Sequence, residues 1–464
     1  MAAMKKLYVI LGCMLLTACC VMCRKANTSA LSDDSLFDPR LSGGAATSFD
    51  VGSGSFSTAI PGLSEHDNFV HTYGDNLFSQ PFVAAPAPRF GGLGPIFNNI
   101  SCTNCHHNDA FGLPTFGELG SSMLMRISIP GTDAHGGPNP APGFGGQVQN
   151  MSLLGVTPEA NVSVSYSEQT FTFSDGETAT LRTPAYTLSN PYIPLPAGYM
   201  VSPRMGPPVF GLGLLEHVPE ATVVSFADPN DANGDGIKGR PNYVYNSYTK
   251  QRELGRFGLK CNTSTLELQV ATAFQQDMGL TSYIQPEKSV YGQAQMKSVS
   301  DTLPDLADTA LNAVIFYVRT LSVPARRNTT DATVMRGETL FKQINCSGCH
   351  IPTMYTEVVP GLPALSGQRI HPYTDLLVHD LGPGLADNRP DYLAGGNDWR
   401  TTPLWGIGMF LKTNGTPYYL HDGRARTLTE AILWHDGEAK NAKNKFVQLP
   451  SADHAAVLAF LNSL

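Results

Sequence analysis

Cys346-Ser347-Gly348-Cys349-His350 is the stretch on which the reading of the chain turns, and it has a twin at Cys102-Thr103-Asn104-Cys105-His106. Two thiols three positions apart on one turn can form thioethers with the two vinyl groups of haem. The imidazole that follows can then take an axial position on the iron. A CxxC pair also serves as a disulfide, a redox dithiol or half of a zinc site. Repetition of the whole pattern in a chain with an export signal favours two covalent haem c groups, with His106 and His350 as proximal ligands.

That signal reads over residues 1–18. Lys5 and Lys6 precede an apolar run from Leu7 to Leu16, and Leu16-Thr17-Ala18-Cys19 resembles a lipobox with Cys19 as the lipidated residue. An Ala-x-Ala type cleavage or an uncleaved anchor are the alternatives, although the run is short for a bilayer span. The expectation is a periplasmic protein tethered to a bacterial membrane by lipid. Of nine cysteines, four (Cys13, Cys19, Cys20, Cys23) lie in or beside the signal, four lie in the motifs, and Cys261 is left as a buried inert or a reactive thiol.

Hydrophobic residues make up 42% of the 464 and charged ones 15%, an ordinary globular balance. A net charge of -8 and the lack of long basic runs argue against nucleic acid as a partner. Gly (45) and Pro (34) are abundant, as expected where loops wrap a large planar cofactor.

In chain order, residues 19–55 read as a linker, 56–328 as an N-terminal haem domain and 329–464 as a C-terminal cytochrome c-like haem domain. Pro324 to Asp331 marks the boundary. Leu266 to Met278 and Pro304 to Leu321 carry helical periodicity, and Pro450-Ser451 to Leu464 reads as a Ser-capped closing helix. Val162, Val164, Tyr166, Phe171 and Phe173 alternate with polar residues before Asp175-Gly176, which predicts a small β-hairpin inserted in a mainly α chain. Asp231, Asn233 and Asp235 followed by Gly236 match the first half of a calcium loop, but Asn242 stands where an EF-hand has Glu. Calcium and a metal-free Asx turn both fit. Arg182-Thr-Pro and Arg400-Thr-Thr-Pro each follow a haem motif, a weak sign of duplication, and either Arg could pair with a haem propionate or lie in a surface salt bridge.

Cys102 to His106, Gly211-Leu-Gly-Leu-Leu-Glu216, Asn233 to Pro241, Gly255-Arg-Phe-Gly258, Asp277 to Ser282, Tyr373 to Asp380, Trp399 to Gly406 and Leu420-His-Asp-Gly-Arg-Ala-Arg426 resemble, in order, the di-haem oxidoreductase family. Its members are labelled peroxidases or thiol oxidoreductases and resemble bacterial di-haem cytochrome c peroxidases. The resemblance implies one electron-transfer haem, one reactive haem and a small electron donor such as a c-type cytochrome or cupredoxin. Those peroxidases tend to place a Met before His-Asp-Gly, where this chain has Leu420, which cannot bind iron. His421 and His435 are then the preferred distal ligands at the second haem, with Met409 and Tyr419 as further candidates, or that iron remains open. At the first haem, His135 is the expected distal group, with Gln147 and Glu216 as acid/base candidates for O–O cleavage. Glu216 also suits a purely structural role. Trp399 and Trp405 could carry charge between irons or simply pack. The leading expectation is a peroxidase-like oxidoreductase; a pure electron-transfer cytochrome and a haem sensor or iron-uptake partner are the alternatives.

Overall fold

The Glu65–Ser79 helix starts where Ser64 accepts a hydrogen bond from the Asp67 amide at 3.1 Å, with Glu65 and Asp67 in its first turn facing the positive end of the helix dipole. It buries His71, Gly74, Leu77 and Phe78 against the Asp308–Arg319 helix. A Cβ at Gly74 would lie 2.1 Å from the Ala313 carbonyl oxygen, so the crossing requires glycine. The Ala332–Gln343 helix packs on Ser451–Ser463 in the same way, with Gly337 against the Ala456 carbonyl oxygen at 1.9 Å from the would-be Cβ. This computed structural model describes residues 38–118, 120–289, 293–296 and 304–464. The expected signal and Cys19 lie outside the described residues.

The expectation of a mainly α chain is corrected: of the described residues 29% are helical and 20% are strand. Met123–Thr132 pairs antiparallel with Met200–Met205, Gln147–Val148 and Pro138–Asn139 in a four-stranded sheet. Several of these strands are two residues long and sit in Gly/Pro-rich tracts, where sequence periodicity has no room to show. The expected small hairpin is a ribbon of two twelve-residue strands, Asn161–Thr172 and Thr178–Ser189, in register from Asn161↔Ser189 to Thr172↔Thr178.

Arg40–Leu464 forms one compact unit. Thr47–Ser48 pairs in parallel with Val323–Pro324, so the chain is already part of the body within the segment read as linker. The main core runs from Ala46 to Phe410 and includes Leu376, Leu377 and Trp405, while a second core gathers Leu340, Phe341, Phe460 and Leu461. The Leu266–Met278 helix has the expected bounds; the structure adds a Thr265 cap at its start and closes it with Gly279 at φ 70°. Ser451, read as a cap, instead donates to Glu177 at 2.6 Å. Among the described residues no helix is long and apolar enough to cross a membrane.

Candidate haem-binding site

Both CxxCH segments close on the same turn: the His106 amide donates to the Cys102 carbonyl at 2.8 Å, and the His350 amide to that of Cys346 at 3.0 Å. Cys102, Cys105, Cys346 and Cys349 are all free thiols. Burial pushes the Cys105 and Cys346 thiols up to about 12, far from the low values of redox dithiols. The imidazoles are built alike. Nδ1 of His106 donates to the Pro207 carbonyl at 2.7 Å, and Nδ1 of His350 to that of Tyr373 at 2.9 Å. Burial lowers both, His350 to about 4, so each ring is neutral at pH 7 and Nε2 carries the lone pair an iron ligand needs.

The second motif opens onto a mostly apolar cavity lined by Cys346, Cys349, His350, Arg400, His421 and His435. Nδ1 of His435 bonds the Ala431 carbonyl at 2.8 Å. His421 stacks on Trp399 with ring centroids 3.7 Å apart, and burial holds it down at about 4. Trp399 donates its indole N–H to the Leu385 carbonyl at 2.8 Å, which fixes the plane against which His421 lies. Arg400 donates from Nη1 to the Arg256 carbonyl at 2.8 Å, while its buried Nε has no partner.

Several expected site residues stand elsewhere. His135 is exposed and stacks on Tyr245 at 3.7 Å, and its amide donates to Asp133 at 2.8 Å. Glu216 accepts from Arg319 at 2.7 Å and from the Leu266 amide at 2.9 Å, a structural tie between helices. Gln147 is buried and donates to Asn98 at 2.6 Å and Asp277 at 2.7 Å, behind Asn99, whose amide reaches Cys105 Sγ at 3.3 Å. Arg182 serves loop carbonyls rather than a cofactor. Asp231 and Asp235 accept from the amides of Gly236 and Ile237, and Asn233 from that of Asp235, which is Asx-turn geometry. Asp235 and Ile237 line the mouth of the second cavity.

The polar layer around Gln147 continues to Glu159, which is fully buried and accepts from the Gln149 amide at 2.6 Å and from Gln293. Sequence reading missed it. Burial pushes its carboxyl up to about 8 from 4.5, in spite of both donors. The folded chain therefore holds a proton that the unfolded chain gives up, and stability is lost as pH rises from 4.5 through 8. Glu159→Gln is expected to remove that slope. Its new N–H can meet Gln293 Oε1, which has no partner. Urea midpoints at pH 5 and pH 9 should show the variant gaining on the order of a few kcal/mol at the higher pH alone; equal gaps at both would refute the assignment.

A family model described as "Di-haem oxidoreductase, putative peroxidase" matches residues 37–464. The chain belongs to the di-haem oxidoreductase family. No curated protein matches it. Among solved structures, Kuenenia stuttgartiensis hydrazine synthase pressurised with 20 bar xenon aligns over 95% of this chain and 100% of its own, at 14% identity and a TM-score of 0.36, too distant to carry an argument.

A di-haem oxidoreductase needs two sites, and the residues fit. The cavity wall is apolar, the thiols are unpaired, both proximal rings are held by carbonyls, and Arg400 Nε awaits an acceptor. The two sites also share a frame that the sequence reading passed over. Gly74-Asp-Asn-Leu-Phe78 and Gly337-Glu-Thr-Leu-Phe341 are the same pattern. Each glycine sits at a helix crossing, and each phenylalanine lies against the motif histidine, Phe78 to His106 at 6.1 Å and Phe341 to His350 at 6.2 Å. The setting of His379, within the Tyr373 to Asp380 run, depends on residues distant in the sequence. Burial alone would lower it, yet Asp375 at 2.8 Å, with Glu438 at 2.7 Å, holds it well above its ordinary value beside Cys349.

Proposed function

We propose that this oxidoreductase carries two covalent haem c groups, one at Cys102, Cys105 and His106 and one at Cys346, Cys349 and His350, and reduces a peroxide at the second. The observation that carries this reading is that His350, His421 and His435 open onto one large apolar cavity. A bound haem would supply the redox equivalents. Hydrogen peroxide takes two electrons, from two one-electron donors, and two protons to give two waters. His421, neutral above pH 4, is placed to take a proton from one peroxide oxygen and return it to the other. Arg400 offers its guanidinium to a propionate or to developing negative charge, and the apolar wall keeps water out.

The first site, with His135 on the surface, is then the electron entry point, reversing the expectation that its loops hold the reactive centre. A lipid anchor at Cys19, a periplasmic location and a small c-type cytochrome or cupredoxin as donor complete the proposal; these rest on the sequence motifs alone. The test is peroxide turnover with a reduced c-type donor, with electron paramagnetic resonance of the resting and half-reduced protein. Turnover with a high-spin or peroxide-sensitive second centre is expected. No turnover, with both centres low-spin in both redox states, would leave an electron-transfer cytochrome with His421 or His435 ligating the iron.

A further inference from the structure

The Asn161–Ser189 ribbon is long and largely exposed, and a two-stranded hairpin is marginal by itself. It is tied down at both ends. Val162, Val164, Tyr186 and Leu188 pack on the main core, and Phe171, Phe173, Ala179 and Leu181 near the tip pack on the second core. Between these anchors it meets the loop of residues 420–426, which carries His421.

That loop is an unfavourable piece of backbone. Leu420 has φ 72°, a left-handed conformation that leucine holds only where its surroundings impose it, while Gly423 at φ 69° adopts it freely. The ribbon supplies much of that imposition. Arg182 donates from Nε to the Arg424 carbonyl and from Nη2 to the Gly423 carbonyl, both at 3.0 Å, and its guanidinium is seated on the Tyr166 ring at 4.3 Å. Tyr186 donates its hydroxyl to Asp422 Oδ2 at 3.0 Å. Asp422 is completely buried, also accepts from Arg424 Nη2 at 2.8 Å, and lies 3.6 Å from His421 Nε2. From the other side, the Met205 amide donates to the His421 carbonyl at 2.8 Å.

We infer that the ribbon is a strap that holds the loop of residues 420–426, with its left-handed Leu420, in place, and that Tyr186 and Arg182 are positioning residues for the His421 imidazole. The inference rests on the proposed role of His421 at the second cavity. Tyr186 acts through Asp422, and Arg182 through the carbonyls that follow it; neither lines the cavity. Loss of the Tyr186 hydroxyl leaves Asp422 to Arg424 alone, and loss of Arg182 removes the ribbon's two hydrogen bonds to the backbone that follows His421.

The test uses the haem-loaded chain. Tyr186→Phe keeps the ring, which packs edge-on against Phe116 at 6.3 Å, and deletes only the hydroxyl; Arg182→Met is the second variant. Both are expected to retain the parent haem content and to show a second ferric population at the second centre by electron paramagnetic resonance, with kcat for peroxide lowered on the order of tenfold to a hundredfold and the donor KM unchanged. His421→Ala is run alongside. If His421→Ala alters the second centre while both strap variants match the parent in spectrum and kcat, the strap is refuted and the role of His421 stands. If His421→Ala itself leaves the spectrum and turnover as in the parent, the role of His421 fails and the strap inference fails with it.

Discussion

Replacing Cys346 and Cys349 together with alanine is expected to halve the covalent haem of the chain, read as pyridine haemochrome absorbance per protein, and to abolish peroxide turnover. The physical case is the state of these thiols. They are unpaired, sit at the wall of the large cavity, and burial drives Cys346 up to about 12, so at neutral pH neither a disulfide nor a thiolate nucleophile is at hand. What such a pair can still do is add across the vinyl groups of a haem that fills the cavity. Without that group the cavity would stay open between Phe341, Leu428 and Leu461, a large loss of packing. The variant should therefore also unfold at lower urea, while Cys102, Cys105 and His106 keep their haem. Retention of the full haem content, or a parent protein without c-type bands, would remove the basis of the proposed function. A redox dithiol at this position would instead show thiol–disulfide exchange in the haem-free chain, which the raised thiol pKa opposes.

How far the chain could be read depended on the range of the interactions involved. The CxxCH turns, the Gly279 helix end and the alternation before Asp175-Gly176 are local, and local chemistry writes itself into adjacent residues. The strands at Gln147–Val148 and Pro138–Asn139 exist because Met123–Thr132 lies beside them, so their own sequence looks like loop. The Gly-x-x-Leu-Phe frame escaped notice because its two copies stand at very different distances from their motifs, Phe78 well before Cys102 and Phe341 just before Cys346. His421 was legible as a candidate from the Leu420-His-Asp-Gly run, but the Trp399 plane and the ribbon that hold it come from distant parts of the chain. His135 shows the converse: a histidine in a Gly-rich loop has the composition of a site, and only the fold shows that its ring lies on Tyr245.

The same dependence on distant partners makes Lys260→Met the most destabilising single change expected outside the haem motifs. Lys260 is completely buried, as is the Asp387 side chain it meets at 2.7 Å, and its remaining hydrogens go to the carbonyls of Arg389 at 3.0 Å and Gly395 at 2.9 Å. Burial lowers the ammonium to about 8, with Asp387 opposing that loss. Removing the cation strands a carboxylate whose Oδ2 already lacks a partner and whose Oδ1 keeps only the Arg389 amide at 2.9 Å. Breaking a buried pair from one side costs about 3–5 kcal/mol. The ammonium also lies 4.5 Å from the centroid of the Trp399 ring, the ring on which His421 stacks at 3.7 Å. Methionine fills the space of the lysine stem but gives the ring no charge. The expected result is a large fall in the urea midpoint for Lys260→Met, with most of it recovered in Lys260→Met/Asp387→Leu, where no buried charge is left alone. A loss below about 1 kcal/mol in the single variant, or no recovery in the double, would show that the pair is not what holds this wall of the cavity.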